Sequence, residues 1–231
     1  MRLVFLLVVA LGLGACVPPP PPPPKFQTGT GAALLVIEAE PPGPLQPRYG
    51  YDLHVARYSP DERTVEDRGV GFPRMGDQQA GRAFYATRVP PGTYVLQKVT
   101  SQAWWNVCFN GGTKRFEVGP NEVVFLGRLE AHKHMAEMMR LPFVTKSGEM
   151  QTVFDTPRPA VTPPSELPGW ETAVGGWVAS TYPGMTMSVR PAEYSDATFK
   201  VGNGLLTTLG TICGGHWNRR DRAGAAAPAA R

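Results

Sequence analysis

The sequence predicts an all-β protein, an antiparallel β-sandwich with long loops. Proline and glycine are both abundant, 25 and 26 of 231 residues, which favours frequent turns over long helices. Apolar segments rich in β-branched and aromatic residues recur at roughly the 8–12-residue spacing of sandwich strands. No long stretch carries the 3.6-residue apolar period of an amphipathic helix.

Residues 32–39 (AALLVIEA) read as a buried strand, because an unbroken apolar run suits a strand covered on both faces. A proline-rich turn covers residues 41–47, and residues 51–58 (YDLHVARY) alternate as a half-exposed strand should. Residues 59–81 are polar and glycine-rich, a long connection with a short strand near 70–72. Residues 82–89 (RAFYATRV) alternate again; Pro90-Pro91-Gly92-Thr93 turns the chain, and residues 94–99 leave the turn as a strand. Residues 104–109 form the next candidate, followed by Asn110-Gly111-Gly112, a strong hairpin signal. Residues 113–118 return, Gly119-Pro120-Asn121 turns, and 122–129 (EVVFLGRL) is another apolar strand. Residues 155–169 (DTPRPAVTPPSELPG) suit a linker or a surface loop. Beyond them, residues 177–180, 185–189, 198–201 and 205–212 can each form a strand packed on the first sandwich.

The N-terminus has a different character. Arg2 precedes an unbroken apolar run over residues 3–13, and small residues lead to Cys16. This is the layout of a secretory signal peptide, and it is too short for a bilayer span of roughly 20 residues. Leu13-Gly14-Ala15-Cys16 resembles the lipobox of bacterial lipoproteins. The resemblance implies a diacylglycerol on the Cys16 thiol, cleavage before Cys16 and acylation of its amine. Two or three acyl chains anchor a protein almost irreversibly, at roughly 0.8 kcal/mol for each buried CH₂. Val17 stands where Asp would imply inner-membrane retention, so the resemblance implies the periplasmic face of the outer membrane. Residues 18–24 are seven consecutive prolines, a polyproline II stalk of about 3.1 Å per residue. The expected organisation is a signal peptide over 1–15, acylated Cys16 and linker over 16–31, and a sandwich over 32–150. A linker or loop over 151–169, added strands over 170–217 and an Arg/Ala tail over 218–231 complete it.

The segments VPPGTYVLQKV and KRFEVGPNEVVFLGRL resemble prealbumin-like, carboxypeptidase-regulatory-type β-sandwiches, including an uncharacterised family of small bacterial lipoproteins. The matching positions are Pro91, Gly92, Thr93 and Tyr94 at a turn, then Phe125, Leu126 and Gly127 in a later strand. The likeness covers roughly residues 30–130 and implies no catalytic residues.

Charge narrows the function classes. Of the net +4, Arg2 supplies one unit and the tail from Arg219 onward supplies three. The body is left near neutral, which speaks against nucleic acid, whose phosphates need a basic face. Cys108 and Cys213 remain after Cys16, an even pair that an oxidising compartment would join. His132, His134, Met135, Met138 and Met139 lie together in HKHMAEMM, a soft set suited to copper, with the imidazoles also suiting zinc. Cys213 and His216 sit three apart, but a thiol nucleophile needs a base placed by the fold. Trp104, Trp105 and Trp217 are candidate partner contacts; adjacent Trp104 and Trp105 on a strand point to opposite faces. Carboxylates such as Glu38, Glu40, Asp61 and Glu62 read as solvated charge near turns. No phosphate-binding loop, GxSxG, HExxH or EF-hand pattern occurs.

The expected role is a non-catalytic, membrane-anchored envelope lipoprotein that binds a protein partner or an envelope polymer and carries no cofactor beyond its lipid. The alternatives are a periplasmic copper- or zinc-binding protein using the His/Met cluster and a cell-envelope hydrolase.

Overall fold

A computed structural model of the chain describes residues 30–39, 51–66, 69–72, 84–101, 105–109, 112–130, 133–134, 144–145, 152–155, 158–199, 211–213 and 215–216. Cys16, the seven prolines 18–24, Trp104, Trp217, His132, Met135, Met138, Met139 and residues 218–231 lie outside them. So does Glu40.

The strands in chain order are β1 (Ala33–Ala39), β2 (Tyr51–Ser59), β3 (Thr64–Val65), β4 (Val70–Gly71), β5 (Phe84–Val89), β6 (Gly92–Ser101), β7 (Trp105–Cys108) and β8 (Thr113–Val118). They continue with β9 (Val123–Leu129), β10 (Val144–Thr145), β11 (Thr152–Asp155), β12 (Val161–Thr162), β13 (Val189–Pro191), β14 (Ser195–Ala197), β15 (Thr211–Ile212) and β16 (Gly215–His216). Among the described residues, the helix α1 (Trp170–Thr181) follows a 3₁₀ turn at Pro164–Glu166, and Lys133 and His134 are also helical.

Among the described residues, sheet A has the order β12-β9-β1-β5, with β13 also on β9. Sheet B has the order β10-β11-β7-β6-β2-β3, with β4 on β2, β8 on β6 and β14 on β8. The two sheets form the expected sandwich, with mixed pairing. β1 and β9 run parallel, as do β9 and β13, and β7 and β11; the other pairs are antiparallel.

The core between the sheets gathers alternate residues of both. Leu35, Ile37, Val124 and Leu126 of sheet A meet Leu53, Val55, Leu96 and Phe116 of sheet B, all within 1% of full burial. Alternation leaves Leu34, Val36, Val123 and Phe125 on the other face of sheet A. That face is also covered, by Val174 and Val178 of α1 with Leu167 and Tyr182. Sheet A is thus the middle layer of three, which is why β1 and β9 read as continuous apolar runs. Burying such a side chain stabilises by about 1.5–3 kcal/mol.

The helix corrects one expectation: residues 177–180, read as a strand, lie inside α1. Trp170, Val174, Trp177 and Val178 fall on one helical stripe, but Gly175-Gly176 and the β-branched valines mask it by lowering helix propensity. Of the other late candidates, 185–189 reduces to a strand beginning at Val189. Thr198 and Phe199 follow β14 without continuing it, and only Thr211 and Ile212 of 205–212 are described. The stretch 155–169 contributes β12 to sheet A.

Polar clamps hold the late segments in place. The Glu122 carboxylate accepts from Gly119 N–H at 2.6 Å and from Arg190 Nε at 3.0 Å, fixing β13 to the β8–β9 turn. The Arg190 guanidinium, with smaller help from Gly119, holds this carboxyl below its usual range. Tyr194 donates to Leu126 carbonyl at 2.6 Å, and Tyr58 donates to Thr198 carbonyl at 2.8 Å. Cys108 and Cys213, 105 residues apart, are disulfide-bonded with Cα atoms 4.9 Å apart. Gln97 donates to the Cys213 carbonyl at 2.7 Å beside that bridge.

Candidate functional site

A cleft of about 320 Å³ opens where the helix layer ends over sheet A. Its polar groups are placed by strand register. Phe84 of β5 pairs with Glu38 of β1, and Glu38 pairs with Arg128 of β9. These three residues form a row across three strands on the helix-facing side, one step beyond the buried row Ala86, Val36 and Phe125.

Arg128 reaches that face through a bulge. The β1–β9 register shifts between Val36↔Phe125 and Glu38↔Arg128, so β9 carries one extra residue there. Val124, Leu126 and Leu129 face the central core, and without the extra residue Arg128 would join them on that side. Gly127 makes the bulge. Its φ of +96° lies in the region that favours glycine, and a Cβ there would overlap the carbonyl oxygen of Thr162. One glycine therefore turns Arg128 outward and admits the chain entering the 3₁₀ turn.

Arg128 Nη2 donates to Glu38 Oε1 at 2.9 Å; the Glu38 side chain is 17% exposed and that of Arg128 40%. The Nε of Arg128 is buried and has no hydrogen-bond partner. The wall opposite is built from Glu166, Pro168 and Trp170. Trp170 is stacked on Phe125 with centroids 5.2 Å apart, so the core positions the indole. Gly169, in the left-handed region at φ +74°, caps α1 without a side-chain hydrogen bond.

Glu38 thus departs from the reading of solvated charge near a turn: it lies within β1 and is ion-paired. Asp61 and Glu62 do lie in an exposed turn. A signal for the site was present, since Glu38 and Arg128 are each the single ionisable residue in an otherwise apolar strand.

Of the His/Met cluster, His134 is described. It is almost fully buried and lies 5.1 Å from the Phe109 ring, centroid to centroid. Its Nε2 accepts from Ala160 N–H at 2.9 Å. Burial pushes its pKa down to about 4, with Glu130 opposing and Lys133 adding to the shift. A neutral imidazole has one free lone pair, and here it serves the backbone that leads into β12. In this tautomer the other ring nitrogen carries hydrogen and cannot bind a metal. Among the described residues, no group of three or more His, Cys, Asp or Glu could hold a metal ion. Trp105 belongs to β7, in the middle of sheet B.

A second polar cluster lies on the outer face of sheet B, which the sequence reading missed. Asp52 pairs with Thr100 and His54 with Lys98 across β2 and β6. Thr100 Oγ1 lies 3.4 Å from His54 Nε2 and donates to Asp52 at 3.5 Å. Burial, then the Lys98 ammonium, pushes His54 down to about 4, and burial lowers Lys98. The Thr100 hydroxyl thus lies between the Asp52 carboxylate and the His54 ring.

Comparison with family models, curated proteins and solved structures returns no match.

Proposed function

We propose that this chain is a membrane-anchored envelope lipoprotein, acylated at Cys16 and facing the periplasm from the outer membrane. It acts without catalysis, binding a protein partner or envelope polymer through the cleft at Glu38, Arg128 and Trp170. The anchor is supported by Leu13-Gly14-Ala15-Cys16 after an apolar run and by the proline stalk that follows. The Cys108–Cys213 bridge suits an oxidising compartment. The prealbumin-like kinship is part of the proposal. It is supported by Gly92 to Tyr94 entering core strand β6 and by Gly127 directly following core residues Phe125 and Leu126 in β9.

The observation that carries the recognition role is the Glu38–Arg128 pair. An ion pair this far exposed contributes little net stability to the fold. A hydrophobic pair would continue the layer beneath α1 more cheaply. Polar groups kept beside an aromatic ring in a small concavity suit ligand binding.

The test is in-cell labelling with a palmitate analogue, combined with crosslinking of the acylated protein and identification of what is captured. We expect label on the wild type and none on Cys16→Ser, with capture reduced in Arg128→Ala. An unlabelled wild type overturns the anchor; capture indifferent to Arg128→Ala overturns the cleft as the recognition surface.

A further inference from the structure

We infer that the cleft binds a neutral saccharide, with a pyranose ring against Trp170 and its hydroxyls on Glu38, Arg128 and Glu166. This rests on the recognition role proposed above and names its ligand class.

Charge balance removes ionic ligands first. Glu38 and Arg128 cancel, Glu166 leaves one negative unit, and the amide end of α1, which has no side-chain cap and carries Glu171 outside the cleft lining, returns at most about half a positive unit. Neither an anion nor a cation gains much from so even a field. A hydrocarbon is excluded for the opposite reason, because it would strand the guanidinium and both carboxylates without partners.

An extended peptide would bind by adding a strand to a sheet edge. At Glu38 and Arg128 the floor offers no such edge, since β1 is paired to both β5 and β9; a strand could add only beside β5, at Phe84, to one side of the polar pair. What it offers is a row of side chains.

A pyranose ring fits those side chains in kind. Its C–H face is apolar and suits an aromatic surface, and Trp170 is held in place from behind by Phe125. Each hydroxyl both donates and accepts. A carboxylate only accepts and a guanidinium only donates, so neighbouring hydroxyls can satisfy both members of the Glu38–Arg128 pair together. The single Nη2 contact to Glu38 leaves other guanidinium N–H groups available. A volume of about 320 Å³ is at the small end of ligand sites, about 300–1,000 Å³. It suits one or two rings of a longer chain passing over the site.

The experiment uses the full acylated chain in a polyoxyethylene detergent, which has no sugar headgroup to compete. Saturation-transfer NMR and calorimetry are run with cellotetraose and the N-acetylglucosamine tetramer as neutral probes. Glucose 1-phosphate and choline serve as anionic and cationic probes. We expect at least one neutral tetramer to bind, and Trp170→Ala and Glu166→Gln each to weaken it fivefold or more. Glu166 is exposed, so its variant separates binding from folding, and Trp170→Phe should restore most of the affinity. Failure of both neutral tetramers to bind at millimolar concentration overturns the inference. So does affinity unchanged in both weakening variants, or tighter binding of choline or glucose 1-phosphate. Capture that depends on Arg128 in cells, together with absent saccharide binding, overturns the saccharide and leaves the recognition role intact.

Discussion

Alanine at position 127 tests the bulge that builds the cleft. Two costs add. The backbone holds φ at +96°, where a residue with a Cβ is strained by about 1–3 kcal/mol. The new methyl group would also overlap the Thr162 carbonyl oxygen and come within 3.2 Å of Pro163 Cα. These are backbone atoms and cannot rotate away, so overpacking adds about 1–3 kcal/mol. Gly127→Ala should therefore cost roughly 2–6 kcal/mol, a large share of the 5–15 kcal/mol typical of a folded protein. The same substitution at Gly175 provides the internal control. That residue sits inside α1, and an added methyl group would meet no atom of a neighbouring element within 4 Å. Alanine there should gain about 0.5–1 kcal/mol through helix propensity. Equilibrium urea unfolding followed by tryptophan fluorescence measures both on one scale. A Gly127→Ala protein within about 1 kcal/mol of wild type would refute the argument, and with it the account of how Arg128 reaches the outer face.

Three other outcomes are expected. His54 has a folded pKa of about 4 against 6.5 unfolded, so the unfolded chain takes up the proton first and stability falls as pH drops through that window. Between pH 7.5 and pH 5 the contribution is about 2 kcal/mol, and urea midpoints of His54→Gln should lose that much of the wild-type pH dependence; equal dependence in both proteins refutes it. Breaking the bridge with paired Cys108→Ala and Cys213→Ala changes should lower unfolding free energy by up to about 4–5 kcal/mol, since the closed loop spans 105 residues; an unchanged midpoint would show that the unfolded chain gains no freedom. Phe125→Ala should cost about 3–5 kcal/mol and also weaken ligand capture, because the ring is fully buried and supports Trp170; calorimetry of unfolding and the capture assay read the two effects separately.

Strands with dense β-branched or aromatic content were legible in the sequence. The turns at Gly92 and Gly119 and the segments 113–118 and 122–129 fall where composition places them, but the hairpin signalled by Asn110-Gly111-Gly112 is corrected: among the described residues β7 and β8 pair with successive stretches of β6 and not with each other, because the long β6 offers both a partner that local turn chemistry cannot see. The helix was not legible. Only four apolar residues mark its buried stripe, and two adjacent glycines argue locally for a turn, while tertiary burial of Val174 and Val178 on sheet A decides the outcome. Parallel pairing of β1 with β9 was hidden as well, since it joins segments 90 residues apart by register alone. The cleft follows from that register: Glu38 and Arg128 carry no local motif, and only a bulge counted in the folded sheet brings them together. His134 shows the converse case. A metal-like sequence neighbourhood surrounds a side chain whose lone pair is spent on Ala160.

The placement of β1 has a mechanical meaning. It is the first described strand after the proposed stalk, and it lies in the interior of its sheet with neighbours on both sides. Tension drawn along the stalk would reach the body as shear, loading two ladders of hydrogen bonds together instead of peeling them one by one. Were the same strand at a margin, a modest tug would unzip it. A sugar chain gripped at the far end of β1, beside Glu38, would then place tether and cargo at opposite ends of one strongly braced strand.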